Sequence, residues 1–183
     1  MKQTDYENRA NEQSDTVYLR LMETADTENI VTWRNNPRVR HNFIYQDLFT
    51  VEGHLQWIHT QVEPGHVVQF IICEKSSGRA VGSVYFRDID REKKWAEYGI
   101  FIGEDDAVGK GYGTQAARLA LSYAFDKMGM QFIYLRVFAD NVCARKSYEN
   151  AGFQLIKGKQ DEVMIDAQTR EIVFYGFYGY GEQ

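Results

Sequence analysis

The sequence predicts a mixed α/β domain built on one layer of sheet. Three observations carry that prediction: three consecutive β-rich runs between Val67 and Ile102, a glycine-rich turn that leads into the clearest helical pattern, and strand patterns that resume beyond that helix. With 183 residues the chain can bury a hydrophobic core, and one domain over 16–183 is expected. A hydrophobic fraction of 44% and an aromatic fraction of 14% exclude a disordered chain.

The elements follow in order. Residues 1–15 are rich in Asn, Gln, Glu and Asp and read as a polar tail. From Thr16, Val17, Leu19 and Leu21 alternate with Tyr18, Arg20 and Met22, the period-two pattern of a first strand. Thr24 is expected to cap a helix over Ala25–Asn35, with Asp26 and Glu28 at its positive end and Pro37 as its stop. Thr50 is expected to cap a second helix to about Val62, with Glu52 in the first turn and Leu55 and Ile58 at helical spacing. Val67–Glu74, Ala80–Ile89 and Trp95–Ile102 are rich in β-branched and aromatic residues and read as an antiparallel meander. Ala116, Ala117, Ala120, Leu121, Ala124, Phe125 and Met128 recur at intervals of three and four, as on one face of a helix. A strand over Phe132–Ala139, a short helix over Asn141–Asn150 and strands around Phe153–Lys157 and Ile172–Tyr180 complete the chain. No internal repeat is present.

Charge and cysteine content exclude several classes. The net charge of −5 gives no general attraction to nucleic acid or to an anionic membrane surface. Cys73 and Cys143 are too few and too isolated for a disulfide framework or a paired zinc spacing, so no metal is expected and a reducing compartment fits. No run approaches the roughly 20 apolar residues that cross a bilayer, and the first residues lack the apolar centre of a signal peptide. A cytoplasmic protein is expected.

The segment Val108-Gly109-Lys110-Gly111-Tyr112-Gly113-Thr114 lies between a strand and the strongest helix, where free backbone N–H groups make an anion site. Glycine lets the backbone approach a pyrophosphate and adopt positive φ. A Walker A loop fails on spacing, since five residues separate Gly103 from Gly109-Lys110 and Gly111 stands where Ser or Thr is needed. A dinucleotide fingerprint fits Gly111 to Ala116 locally. It would require further βαβ units, however, and only 67 residues remain after Ala116.

Val108 to Gly113 resembles the Q/R-x-x-G-x-G/A pyrophosphate loop of the GNAT acetyltransferases, and Asn141 to Phe153 resembles that family's N-x-x-A-x-x-x-Y-x-x-x-G-F segment. The resemblance runs from Val17 to the end of the chain. It implies a GNAT-like fold: a single mixed, mostly antiparallel sheet flanked by helices, with a V-shaped splay between the Trp95–Ile102 and Phe132–Ala139 strands that admits acetyl-CoA. It implies a pyrophosphate held by Val108, Gly109, Lys110, Gly111, Tyr112, Gly113 and Thr114. A pantetheine arm would lie along Phe101 and Ile102 and beside Asn141 and Ala144. Tyr148 becomes the acid that protonates the CoA sulfur, and Glu97 a carboxylate that removes the amine proton through water. Gly99 is expected to permit distortion of its strand. At the first motif position Val108 replaces the usual Gln or Arg, which removes a side-chain ligand and leaves the backbone donors.

Arg34, Arg38 and His54 are the acceptor-site candidates, with Arg40 beside them. Trp33 to Pro37 and Thr50 to Leu55 resemble the amino-sugar N-acetyltransferases of pseudaminic acid synthesis, and the same region is similar to the spermidine and ribosomal-protein acetyltransferases. Arginines favour a nucleotide-linked amino sugar, whereas a polyamine calls for clustered acids. Asp88, Asp90, Glu104, Asp105 and Asp106 keep the polyamine open. Three further readings stand beside these: acetylation of a protein N-terminus, a CoA-binding module without turnover, and a dinucleotide-binding protein. Cys143 reads as a packed thiol, since no His/Asp motif accompanies it. The expected partner is a small amine, and the expected assembly a homodimer.

Overall fold

The computed structural model describes residues 14–179, so most of the expected tail and Tyr180 lie outside the described residues. Seven strands form one sheet: β1 (Val17–Leu21), β2 (Val68–Glu74), β3 (Ala80–Asp90), β4 (Trp95–Ile102), β5 (Phe132–Phe138), β6 (Gln154–Ile165) and β7 (Gln168–Tyr178). Their spatial order is β1-β2-β3-β4-β5-β7-β6, and every neighbouring pair is antiparallel except β4 with β5. This is the expected mixed, mostly antiparallel sheet. Its antiparallel meander also excludes the doubly wound sheet that a dinucleotide fold requires.

Among the described residues, five α-helices cover the sheet: α1 (Thr27–Asn35), α2 (Pro37–Arg40), α3 (Val51–Trp57), α4 (Tyr112–Asp126) and α5 (Val142–Ala151). On one face, α4 and α5 pack Ala116, Ala117, Ala120, Leu121 and Tyr148 against Val84, Phe86, Tyr98, Leu135 and Tyr175. Four buried alanines in α4 let the helix approach the sheet closely. On the other face, Ile30, Trp33, Val39 and Ile58 close over Ile71, Cys73 and Phe101. Because β2 and the first half of β3 are covered on both faces, their residues are buried almost without alternation.

Several boundaries differ from the sequence reading. Glu23, not Thr24, caps the entry to α1: its backbone N–H donates to the Asp26 carboxylate at 2.8 Å in a capping box around a 3₁₀ turn at Thr24–Asp26. Pro37 stops α1 and also starts α2 at its first position, behind Asn36, whose side chain accepts from the Arg38 N–H. Thr50 caps α3 as expected, accepting from Gly53 N–H at 3.1 Å, and a π turn at Ile58–Val62 extends the helix. The last hairpin is much longer than its apolar residues imply. β6 continues through an exposed polar stretch, Lys157 to Glu162, and then Val163 to Ile165 to a two-residue turn in which Asp166 and Ala167 both have positive φ. Cys143 is exposed in the first turn of α5, where a side chain faces solvent, and Cys73 is the packed thiol.

Gly82 marks a close approach between β3 and β4. A Cβ there would lie 2.3 Å from the Phe101 carbonyl oxygen and 3.0 Å from the Ile102 Cα, both backbone atoms that cannot rotate aside. Gly82→Ala is therefore expected to destabilise the fold by about 1–3 kcal/mol in urea denaturation; a midpoint equal to wild type would contradict this contact.

Candidate functional site

β4 and β5 pair over three residues only: Trp95 with Phe132, Ala96 with Ile133 and Glu97 with Tyr134. Beyond Glu97, β4 stays paired with β3 as far as Ile102 and β5 with β7 as far as Phe138, but β4 and β5 part. The Tyr98–Ile102 edge of β4 thus presents backbone hydrogen-bonding groups to a gap inside the sheet. Phe101 turns its ring away from the gap, edge-on to Trp33 and Phe43, so any contribution it makes there is through its backbone. The Ile102 carbonyl accepts from Arg38.

The glycine loop follows a 3₁₀ turn at Asp105–Ala107. Gly109 and Gly111 have φ of 80° and 78°, a conformation that a side chain would strain. Nothing lies within 4 Å of the Cβ position of either glycine, so the surface above the loop is open. Gly111 is the N-cap of α4 and supplies no capping side chain, which leaves the first-turn N–H groups at the positive end of a 15-residue helix. This is a cradle for an anion. Of the side chains expected to help, Val108 is an exposed apolar group, Lys110 lies 3.7 Å from Glu74, Tyr112 donates to Glu74 at 3.1 Å, and Thr114 is bonded to Ser147 at 3.0 Å. The loop therefore offers backbone donors more than side chains.

The acids before the loop are all engaged. Arg79 binds Glu104 and Asp106, each at 2.7 Å, and Trp33 Nε1 donates to Glu104 at 2.7 Å. Arg38 binds Asp105 at 2.7 Å and also donates to the carbonyls of Ile102 and Gly103. Arg38 thus clamps the end of β4 through Nε and Nη2. The same pairs leave this acidic run little capacity to bind a polycation.

Asn141 caps α5 by accepting from the Ala144 N–H at 3.2 Å, which places both at the helix end expected near the cofactor arm. Tyr148, about two turns beyond Asn141, is buried beside Tyr98, Phe153 and Tyr175. Burial, with the nearby Tyr85, pushes its phenol well above the ordinary range, so it is protonated at neutral pH.

Glu97 does not have the surroundings of a base. It is 4% exposed and is held by Arg136 through two hydrogen bonds of 3.0 and 3.1 Å and by Arg87 at 3.0 Å. Burial alone would push its carboxyl up. The Arg136 bonds and the Arg87 charge outweigh that and hold it below the usual carboxylate range. An ionised carboxylate with its lone pairs occupied is a weak proton acceptor.

On the α1–α3 face lies a cavity of about 720 Å³, walled by aromatic residues including Phe43, Tyr45, Phe49, Trp57, Tyr85 and Phe101. Arg34 and His54, both expected at the acceptor site, line it. Arg87, Gln69 and Tyr85 also line it and escape the sequence reading, since they sit on strands among core residues. Gly99 has a different purpose from strand distortion: the Tyr85 ring lies 2.3–2.6 Å from where its Cβ would be, so the missing side chain lets Tyr85 cross β4. Among the described residues, no group of three His, Cys, Asp or Glu side chains is placed to hold a metal, and no helix is long and apolar enough to cross a membrane.

The sequence profile of the acetyltransferase (GNAT) domain matches residues 16–154. The chain is 29% identical over 162 residues to spermidine N(1)-acetyltransferase of Escherichia coli K12, covering 86% of this chain and 83% of that protein. It is 27% identical over 150 residues to the protein MJ1062 of Methanocaldococcus jannaschii; that match takes in 80% of this chain but only 30% of the archaeal protein. The fold superposes on spermidine N-acetyltransferase from Vibrio cholerae, solved with CoA and spermine, with a TM-score of 0.82, 21% identity, and coverage of 88% of this chain and 95% of that one. Another structure of the Vibrio protein is described as dodecameric.

The Glu97 cluster has a pH signature. Its folded pKa lies below the unfolded value of about 4.3, so its stabilisation is complete above that value and is lost as pH falls through the folded pKa. Glu97→Gln, which leaves two guanidinium groups without their carboxylate, should cost about 3–5 kcal/mol at pH 7, and the gap to wild type should narrow below about pH 4. Denaturation curves at the two pH values decide it, a constant gap being the contrary result.

Proposed function

The chain belongs to the GNAT acetyltransferase family, and from that premise we propose that it moves an acetyl group directly to the primary amine of a small acceptor seated in the aromatic cavity. It is an N-acetyltransferase, with acetyl-CoA as its co-substrate. The observation that carries the reading is the conjunction of the parted strands, the uncapped glycine loop and the protonated Tyr148.

The residues fit the co-substrate. The open loop N–H groups from Gly109 to Thr114 suit a pyrophosphate, the Tyr98–Ile102 edge suits the amides of a pantetheine arm, and Asn141 and Ala144 flank it. Bound acetyl-CoA supplies the thioester. Tyr148 Oη holds the proton that a departing thiolate needs, a general-acid role worth roughly 10²–10⁴ in rate. Arg34 and Arg87 border the cavity and disfavour protonation of an amine placed beside them, which supplies the neutral nucleophile; the proton that the nitrogen sheds as the amide forms passes to solvent, and Tyr148 regains from solvent the one it gives to sulfur. We assign Glu97 to positioning Arg87 and Arg136.

For the acceptor, the amine of a nucleotide-linked amino sugar is the reading that the cavity arginines favour. The polyamine reading draws support from the Escherichia coli relative and the Vibrio neighbour, which are described as spermidine acetyltransferases. We also propose self-association, in line with the dodecameric Vibrio form; a homodimer would be its smallest version.

Tyr148→Phe should lower kcat by about 10²–10⁴ in an acetyl-CoA thiol-release assay while calorimetric affinity for acetyl-CoA stays near wild type. Wild-type turnover would remove Tyr148 from the chemistry. Gly111→Val forces a β-branched residue into positive φ and should abolish acetyl-CoA binding in a protein that keeps its circular dichroism; retained affinity would place the pyrophosphate elsewhere.

A further inference from the structure

Arg34 is a buried cation without an anion. It is 6% exposed, and no Asp or Glu pairs with it among the described residues. Its guanidinium carbon lies 3.3 Å from the Phe43 ring centroid and 4.6 Å from that of Phe49, and Nη2 donates to the Tyr45 carbonyl at 3.3 Å. Nη1 is buried with no partner. Burial and the charge of Arg87 pull the guanidinium down to about 10, the mark of a cation short of negative charge.

The orphan is one of a set. His54 Nε2, Gln69 Oε1 and Arg87 Nε are also buried without a hydrogen bond, Arg87 Nε having only the distant Asp88 carboxylate at 3.8 Å, and all four residues line the same cavity. Buried polar atoms are normally paired, so four in one cavity point to groups that a ligand supplies. The charge of the wall decides which groups. Of the cavity residues only Asp88 is acidic, its carboxylate is 65% exposed, and it lies 3.8 Å from Arg87. Glu97, behind Arg87, is shared between Arg87 and Arg136, two cations to one carboxylate, and leaves Arg34 untouched. His54 is neutral at pH 7, since burial lowers its pKa. The cavity is thus net positive and walled by rings. That environment repels a polyamine and attracts an oxyanion.

We infer that the acceptor carries a phosphate or carboxylate in addition to its amine, and that Arg34 receives this oxyanion through its free Nη1. The inference rests on the cavity being the acceptor site. Stacking between Phe43 and Phe49 fixes the plane of the guanidinium, so the free nitrogen is presented in one orientation. Arg34 acts as a specificity residue, selecting among amines by what else they bear.

Calorimetric titration of the full chain saturated with CoA tests this without turnover. Two matched pairs serve as probes: a UDP-linked 4-amino sugar against the free amino sugar, and an α-amino acid against its carboxamide, with spermidine as the polycation. The charged member of at least one pair should bind at least tenfold tighter than its neutral counterpart, and the pair that responds distinguishes phosphate from carboxylate. Arg34→Gln should close that gap, and Arg34→Lys, which keeps the charge without the fork, should retain part of it. The wild-type comparison and Arg34→Lys decide the matter if Arg34→Gln does not fold. Spermidine binding as tightly as the better charged probe, the absence of a preference in both pairs, or an undiminished preference in Arg34→Gln would overturn the inference. Failure of the transfer reading is separate: acetyl-CoA would release no thiol with any amine, whatever the binding preference.

Discussion

The early parting of β4 from β5 is the constraint from which the site follows. Parallel neighbours in a sheet normally satisfy each other along their shared length, yet these two are paired only from Trp95 to Glu97 and from Phe132 to Tyr134. Packing holds the strands apart. β4 is fixed to β3 through Ile102, β5 to β7 through Phe138, and the rings of Tyr98, Tyr148, Phe153 and Tyr175 fill the space beneath. The chemistry is then a matter of position: a glycine loop at the end of the open strand, a protonated phenol below it and a cavity on the opposite face. Gly99 joins the two faces, because only a residue without a Cβ leaves room for Tyr85 to lie across it.

A charge framework keeps this arrangement usable. Carboxylates close to a phosphate site would repel the ligand, and Glu104, Asp105 and Asp106 immediately precede the loop. Arg38, Arg79 and the Trp33 indole bind them, so two of the three negative charges are offset within the protein. At the other end of β4, Glu97 joins Arg87 of β3 to Arg136 of β5 where the strands are still paired. That bridge ties the base of the opening together. Arg34 alone among these cations has no carboxylate, and it faces the cavity.

The meander, the glycine loop, α4 and the Asn141-to-Phe153 segment are legible in the sequence because each is written in a few neighbouring residues. Features that depend on distant partners are not. Nothing near Glu97 announces Arg136, which is 39 positions away, so the ion-pair hub that Glu97 forms cannot be read from its place on the strand. The pairing of Arg38 with Asp105 is hidden in the same way, since the partner lies 67 positions on. The outer half of β6 is hard to detect, since the middle of the strand, Lys157 to Glu162, is exposed and polar, only Val163 and Ile165 give a short alternation, and its turn uses Asp166 and Ala167 without glycine. The cavity is half visible: Arg34 and His54 stand out as polar residues on helices, whereas Tyr85 and Gln69 are hidden among the apolar residues of β2 and β3.

If the open edge of β4 and the glycine loop together hold acetyl-CoA, both must lose exchangeable donors to it. Amide hydrogen exchange, followed by mass spectrometry with and without acetyl-CoA, reads this directly. Exchange should slow at Gly109 to Thr114 and along Tyr98 to Ile102, where donors face the loop surface and the gap. Protection confined to other segments, with these two unchanged at saturating acetyl-CoA, would place the co-substrate elsewhere and undo this description of the site.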